Sequence, residues 1–291
     1  MENRIEKPVF IFGVSRSGTT LLYRILSGHP DVAFLSNFNV KFPNAHFLWR
    51  VNSLLGKAGL RAGLVKPDEA YPLLDQIFPG YSTPIRNLLA ADVSREVYQE
   101  MRDLVSRNLD LQGGKRFVYK YTGWPRLGFF HAIFPDALFI HMIRDGRAVA
   151  ASKLRVPWWC GWRGPGNWRW GELPENYGRE WIESERSFAV LAGIEWKMLL
   201  DELESSRGEI PAESLLQIRY EDLVASPGNV LKGVCRFCDL PLDPQFGRRV
   251  VRHRFENRNH RWKSRLSAVE QDRVSGCLKG HLMKYGYTLS P

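Results

Sequence analysis

The sequence predicts an α/β fold, a sheet with helices packed on it, and three observations predict it. An apolar run, Val9-Phe10-Ile11-Phe12, breaks into a glycine-bounded loop, Gly13 to Thr20, which opens a helical pattern at Leu21. The same order of strand, turn and helix start returns at Ala137 to Ile143, Arg144-Asp145-Gly146-Arg147 and Ala148 to Leu154. The length of 291 residues, with 44% hydrophobic and 25% charged, suits a globular chain that buries one large core.

Taken in order, the first helix ends at Gly28-His29-Pro30, glycine near its C-cap and proline behind it. A second strand is expected from Asp31 to Ser36. Turn chemistry follows from Asn37 to Asn44, with helical pieces near 45–60, 70–78 and 94–109. Arg116 to Tyr121 is the next β-rich run, and a helix from about Arg126 to Phe134 stops at Pro135. Arg179 to about Ser206 has the length of one long helix. Leu215 to Tyr220 reads as a further buried strand, Ser226-Pro227 starts a helix that runs to Cys238, and a last helix is expected from about Ser267 to Met283.

A strand that breaks into a loop and restarts as a helix points free N–H groups and the positive helix end at one place, which makes an anion seat. The spacing fits G-x-x-x-x-G-[KT]-[ST], but Thr19 stands where an ATP-splitting loop carries its lysine. That lysine reaches the outer phosphates beside magnesium. A hydroxyl holds only the anion nearest the loop, so the loop is expected to seat a shorter anionic group without a metal. Arg144 and Arg147, with the later Ser152, bracket a second anion at the same sheet edge, beyond the strand ends where open α/β sheets bind ligands.

Net charge of +10 suits an anionic nucleotide, an anionic acceptor or nucleic acid, and does not choose among them. Residues 248–265 carry eight Lys/Arg against the single Glu256, interleaved with Phe255 and Trp262. Such a run suits a solvated face or a segment folded over an anionic ligand. Residues 156–177 hold five tryptophans among glycines, prolines and arginines, a composition that fits a lid, a stacking platform or a packed buttress. The four cysteines make no disulfide framework, and Cys235-x-x-Cys238 falls inside a helical pattern, where core packing is expected rather than zinc. Met1 to Lys7 leaves no room for a signal peptide, and no apolar run approaches a membrane span, so a cytoplasmic location is expected.

At this point the residues resemble the sulfotransferase family that uses 3′-phosphoadenosine 5′-phosphosulfate (PAPS). Gly13 to Leu21 looks like its 5′-phosphosulfate loop, and Ile143 to Val149 with Ser152 like its 3′-phosphate motif. Ile218 to Leu223 looks like its third shared block, and Trp262-Lys263 with Leu266-Ser267 like its cofactor-closing segment. The resemblance implies a three-layer P-loop-like fold with a central parallel β-sheet flanked by helices. It implies one domain over residues 1–291, with acceptor-side cap segments at about 37–112 and 156–178.

It further implies that Arg16, Ser17, Gly18, Thr19 and Thr20 hold the 5′-phosphosulfate, and that Arg144 and Ser152 grip the 3′-phosphate. Tyr220 would lie near the adenine, and Arg261 or Lys263 would reach a phosphate. Lys120 would steady the transferring sulfuryl group, and adenosine 3′,5′-bisphosphate (PAP) would leave as product. The acceptor is expected to be a small molecule, lipid or glycan carrying a hydroxyl or amine, with no metal and no nucleic acid.

The family's general base is the departure. Asn37 and Thr122 stand where related enzymes place a glutamate and a histidine, and neither titrates near neutral pH. His46 is then the expected base on pKa grounds, with Asp92 and Glu69 as weaker candidates. The competing readings are a P-loop kinase or NTPase, a nucleic-acid-binding protein using the basic run, and a family member that binds the cofactor without catalysis.

Overall fold

The computed structural model describes residues 5–50, 65–252 and 255–289. Five strands form one sheet: β1 (Val9–Phe12), β2 (Val32–Phe34), β3 (Arg116–Lys120), β4 (Leu138–Ile143) and β5 (Leu215–Arg219). They lie in the order β2-β3-β1-β4-β5, and every pair is parallel. Near-continuous apolar runs are what parallel strands covered on both faces require, and β1, β3 and β4 are buried throughout. Along β1 the side chains alternate: Phe10 and Phe12 enter one core, Val9 and Ile11 the other.

The first core is closed by α4 (Arg95–Gln112) and α5 (Leu127–Ile133), the second by α1 (Thr19–Leu26) and α10 (Pro227–Phe237). Between these lie α2 (Asn37–Lys41) and α3 (Tyr71–Ile77), then α6 (Gly146–Lys153), α7 (Glu175–Glu183), α8 (Phe188–Ser206) and α9 (Tyr220–Ala225). The chain ends through α11 (Pro244–Arg252), α12 (Trp262–Arg265) and α13 (Ala268–Lys284). A third core gathers Trp196 of α8, Val149 of α6 and Leu278 of α13. Helices on both faces of a parallel sheet make the three-layer α/β fold.

Two expectations about elements need correction. The expected helix from 179 to 206 is two helices, because Glu185 and Arg186 adopt left-handed backbone and Ser187 caps a fresh start by accepting from the Val190 N–H. The expected turn at 37–44 contains α2, because Ser36 and Asn39 close a reciprocal capping box. The part of the expected 45–60 helix from residue 51 on lies outside the described residues. Cys235 and Cys238 are buried and unbridged. Among the described residues, no helix is long and apolar enough to cross a membrane, and no three His, Cys, Asp or Glu are grouped to hold a metal.

Candidate active site

The loop from Gly13 to Gly18 leaves β1 and enters α1 through two left-handed residues, Arg16 (φ 74°) and Gly18 (φ 95°). Successive turns of this kind aim backbone N–H groups into one concavity. No side chain caps α1, so its first N–H groups stay free for a ligand. Gly18 is required twice: its backbone is left-handed, and a Cβ would meet the Tyr220 ring at 2.7 Å. The Ser17 hydroxyl is buried without a hydrogen-bond partner, as expected of a group that a bound anion satisfies.

Parallel pairing of β1 with β4 brings the second motif beside the first. Arg16 Nε donates to Ser152 Oγ at 2.9 Å, and the Arg144 guanidinium donates to the Arg16 carbonyl at 3.1 Å. Arg144 also stacks 4.4 Å over the Tyr220 ring, and Tyr220 donates to the Glu256 carbonyl at 2.9 Å. Arg16, Gly18, Thr19, Thr20, Arg144, Ser152 and Tyr220 line one cavity of about 940 Å³. From the basic run, Arg258, Arg261 and Arg265 line it too, whereas Lys263 is exposed and stands outside it.

Burial lowers the pKa of Arg16 and of Arg144, and neighbouring arginines add to both effects. So many cations facing one space favour an anion of several charges. Arg24 lines the same cavity, and no motif in the sequence marks it, Arg258 or Arg265. The spacing of Arg24, one helical turn beyond Thr20, was the signal that could have found the first of them.

Thr20 also lines a second, smaller cavity of about 250 Å³, together with Tyr23, Pro67, Asp68, Glu69, Tyr71 and Lys120. Lys120 is the last residue of β3, its side chain is 4% exposed, and its ammonium pairs with the Glu69 carboxylate. Burial pushes the Lys120 ammonium down to about 7, with Arg16 and Arg24 adding and Asp68 opposing. The touching Glu69 carboxylate also favours the charged form.

The residues around the missing family base explain how Glu69 arrives there. Asn37 N–H donates to the Lys66 carbonyl at 3.0 Å, and the Lys66 N–H donates to Asn37 Oδ1 at 2.8 Å. With the Asp68 N–H on the Leu35 carbonyl and a Ser36–Pro67 bridge, residues 66–68 run antiparallel to 35–37. Tyr119 then holds the Glu69 carbonyl at 2.8 Å. Asn37 therefore fastens the segment that delivers a carboxylate to Lys120.

The other candidates do not meet Lys120. His46 lies against Arg107, 2.9 Å away, with its ring edge on Trp49, and lines neither cavity. The structure thus places His46, expected as the base, apart from Lys120 and Thr20. Asp92 is held by Arg86 at 2.7 and 2.8 Å. Thr122 meets the Tyr71 hydroxyl at 3.4 Å.

The tryptophan-rich segment is chiefly a buttress. Trp159, Trp168 and Trp170 are buried, while Trp158 and Trp162 are about half exposed. Trp170 lies so close over Gly123 that a Cβ there would meet its ring at 2.7 Å, and Gly123 in turn donates to the Gly13 carbonyl at 3.2 Å. Trp159 donates to Glu195 at 2.8 Å, and Glu195 also pairs with Lys153, the residue after Ser152, with both charges almost fully buried. Burial lowers the Lys153 pKa and the Glu195 charge opposes the shift. Glu195→Ala leaves a buried ammonium and a buried indole N–H unpaired, and is expected to cost about 3–5 kcal/mol of stability, read by urea denaturation.

With the geometry described, comparison with known proteins adds the following. A model described as the sulfotransferase family matches residues 8–244. Protein-tyrosine sulfotransferase A of Caenorhabditis elegans is 25% identical over 83% of this chain and 52% of its own length. Carbohydrate sulfotransferase 3 of Homo sapiens is 22% identical over 80% of this chain and 46% of its own. The chain thus spans about half the length of these two relatives. Among solved structures, the sulfotransferase STF9 of Mycobacterium avium superposes with a TM-score of 0.60 at 16% identity, covering 98% of this chain and 78% of that one, and so shares its fold.

Proposed function

The chain belongs to the sulfotransferase family, and from that premise we propose that it transfers a sulfuryl group from PAPS to a hydroxyl or amine of a small-molecule, lipid or carbohydrate acceptor. The observation that carries this reading is the pair of cavities that share Thr20, one rich in arginine and the other holding Lys120 and Glu69. The residues present fit the donor. The loop N–H groups and the Ser17, Thr19 and Thr20 hydroxyls hold the 5′-phosphosulfate, Arg144 and Ser152 with Arg16 hold the 3′-phosphate, and Tyr220 lines the nucleotide's path. Arg258, Arg261 and Arg265 close over it from the C-terminal side. When bound, PAPS supplies an activated sulfuryl group at the Thr20 end.

The acceptor enters beside Lys120. Its oxygen or nitrogen bonds to sulfur as the bond from sulfur to the 5′-phosphate oxygen breaks, and that electron pair leaves on the phosphate. The acceptor proton passes to Glu69. Lys120, within reach of the same point, turns its ammonium from Glu69 to the sulfuryl oxygens, where charge builds in the transition state.

Calorimetry tests the donor side directly. The protein is expected to bind PAP at micromolar strength in chelator, and far more weakly adenosine 5′-phosphate, which lacks the 3′-phosphate. Arg144→Ala is expected to weaken PAP by about 10- to 100-fold, the worth of one or two hydrogen bonds to a charged group, while leaving adenosine 5′-phosphate nearly unmoved. Failure to bind PAP overturns the assignment.

A further inference from the structure

The two cavities differ in sign as well as in size. The donor cavity faces a ring of arginines, whereas the acceptor cavity, among the described residues, is lined by two carboxylates, Asp68 and Glu69, against one cation, Lys120. Lys120 is already engaged by Glu69. Asp68 favours the Lys120 ammonium electrostatically but is fixed by backbone: one oxygen accepts from the Ala70 N–H at 2.7 Å, an N-terminal turn whose geometry Ala70 sets with its left-handed backbone (φ 47°). Among the described residues its second oxygen makes no hydrogen bond or ion pair, and the side chain is half-buried at the cavity wall. In the working state proposed above, Lys120 turns to the sulfuryl group and Glu69 accepts a proton, so Asp68 remains a fixed negative charge facing the acceptor.

Resting on that reading of the site, we infer that the acceptor head group is small and carries a positive charge or clustered hydrogen-bond donors, as in an amino alcohol or amino sugar, and that Asp68 selects it. A cavity of about 250 Å³ admits a single sugar ring or a group of similar size. A carboxylate or sulfate on that ring would face the Asp68 charge with only Lys120 to answer it, and Lys120 is committed to the donor. An ammonium meets the free carboxylate oxygen in a charge-assisted hydrogen bond in a partly desolvated site. Tyr71, which lines the same cavity, gives the ring an aromatic wall.

The test uses three probes of one shape and different charge: glucosamine, glucose and glucuronate. Each is titrated into the PAP-loaded protein, and binding is followed by ligand-observed NMR. Glucosamine is expected to bind about ten-fold more tightly than glucose, within the worth of a hydrogen bond to a charged group, and glucuronate most weakly of the three. Asp68→Asn is expected to collapse the difference between glucosamine and glucose. Asparagine keeps the oxygen that caps Ala70, and PAP binding at wild-type strength verifies the fold of the variant. Glucuronate binding as tightly as glucosamine, an unchanged order in Asp68→Asn, or no binding of any probe to the PAP-loaded protein overturns the inference while leaving the donor assignment standing. If PAP itself does not bind, the donor reading fails. The order of the three probes on the nucleotide-free protein then decides the inference on its own.

Discussion

Glu69→Gln lowers kcat by about 10²- to 10⁴-fold, the usual contribution of a positioned general base, with PAP affinity unchanged within about two-fold. The substitution keeps the volume and the reach of the side chain. Glu69 lines the acceptor cavity and touches Lys120, and its backbone is fixed by Tyr119 and by the bridge from residues 66–68 to 35–37. The loss therefore reports chemistry rather than misfolding. Radiolabelled sulfuryl transfer at saturating donor measures it. The same assay on His46→Ala gives activity within a few-fold of wild type, because His46 contacts Arg107 and Trp49 rather than the reacting end. A large loss in His46→Ala with none in Glu69→Gln reverses the assignment.

The second large effect is at Lys120. Lys120→Ala lowers kcat by about 10²- to 10³-fold, the worth of one preorganised donor aimed at charge that develops in the transition state. PAP lacks the sulfuryl group, so its affinity stays within a few-fold. The pH profile separates Lys120 from Glu69. Transfer needs Lys120 charged and Glu69 ionised. Burial pushes the Lys120 pKa down to about 7, with Arg16 and Arg24 adding and Asp68 opposing, so kcat/KM for the donor falls as pH rises through about 7. Lys120→Arg moves that falling limb out of the range, since a guanidinium stays charged. Glu69→Gln instead lowers the rate without carrying that limb out of the range. A falling limb that stays in place in Lys120→Arg assigns it to another group.

The sheet was legible because β1 to β4 are short, nearly unbroken apolar runs, the pattern that double-sided burial imposes, whereas β5, expected as a buried strand, lies at the sheet edge and is only partly buried. The donor loop was legible for a related reason. Gly13, Gly18 and the hydroxyls between β1 and α1 are local requirements of backbone shape, and local requirements leave local marks. The start of α8 is hidden in the sequence because Ser184-Glu185-Arg186-Ser187 carries no glycine or proline to mark a break, and nothing in it reports that Glu185 and Arg186 turn left-handed. The tryptophan-rich segment left lid and buttress equally open. Only the packing of Trp170 on Gly123, and of Trp159 on Glu195, decides it.

By itself the sequence determined the α/β fold, the glycine-bounded Gly13–Thr20 loop between β1 and α1, and the position of Lys120 at a strand end. All of these rest on residues within one strand, one turn or one helix start. The tertiary structure alone decided which carboxylate stands beside Lys120 and which cations of the 248–265 run face the donor cavity. Glu69 is 51 residues from Lys120 in the chain, and its approach depends on a backbone bridge between Ser36 and Pro67 that no side-chain pattern encodes. Arg258 and Arg265 turn inward where Lys263 turns out because α12 buries Trp262 against Arg147. Contacts between distant segments set these choices, and such contacts exist only once the sheet has brought the segments together.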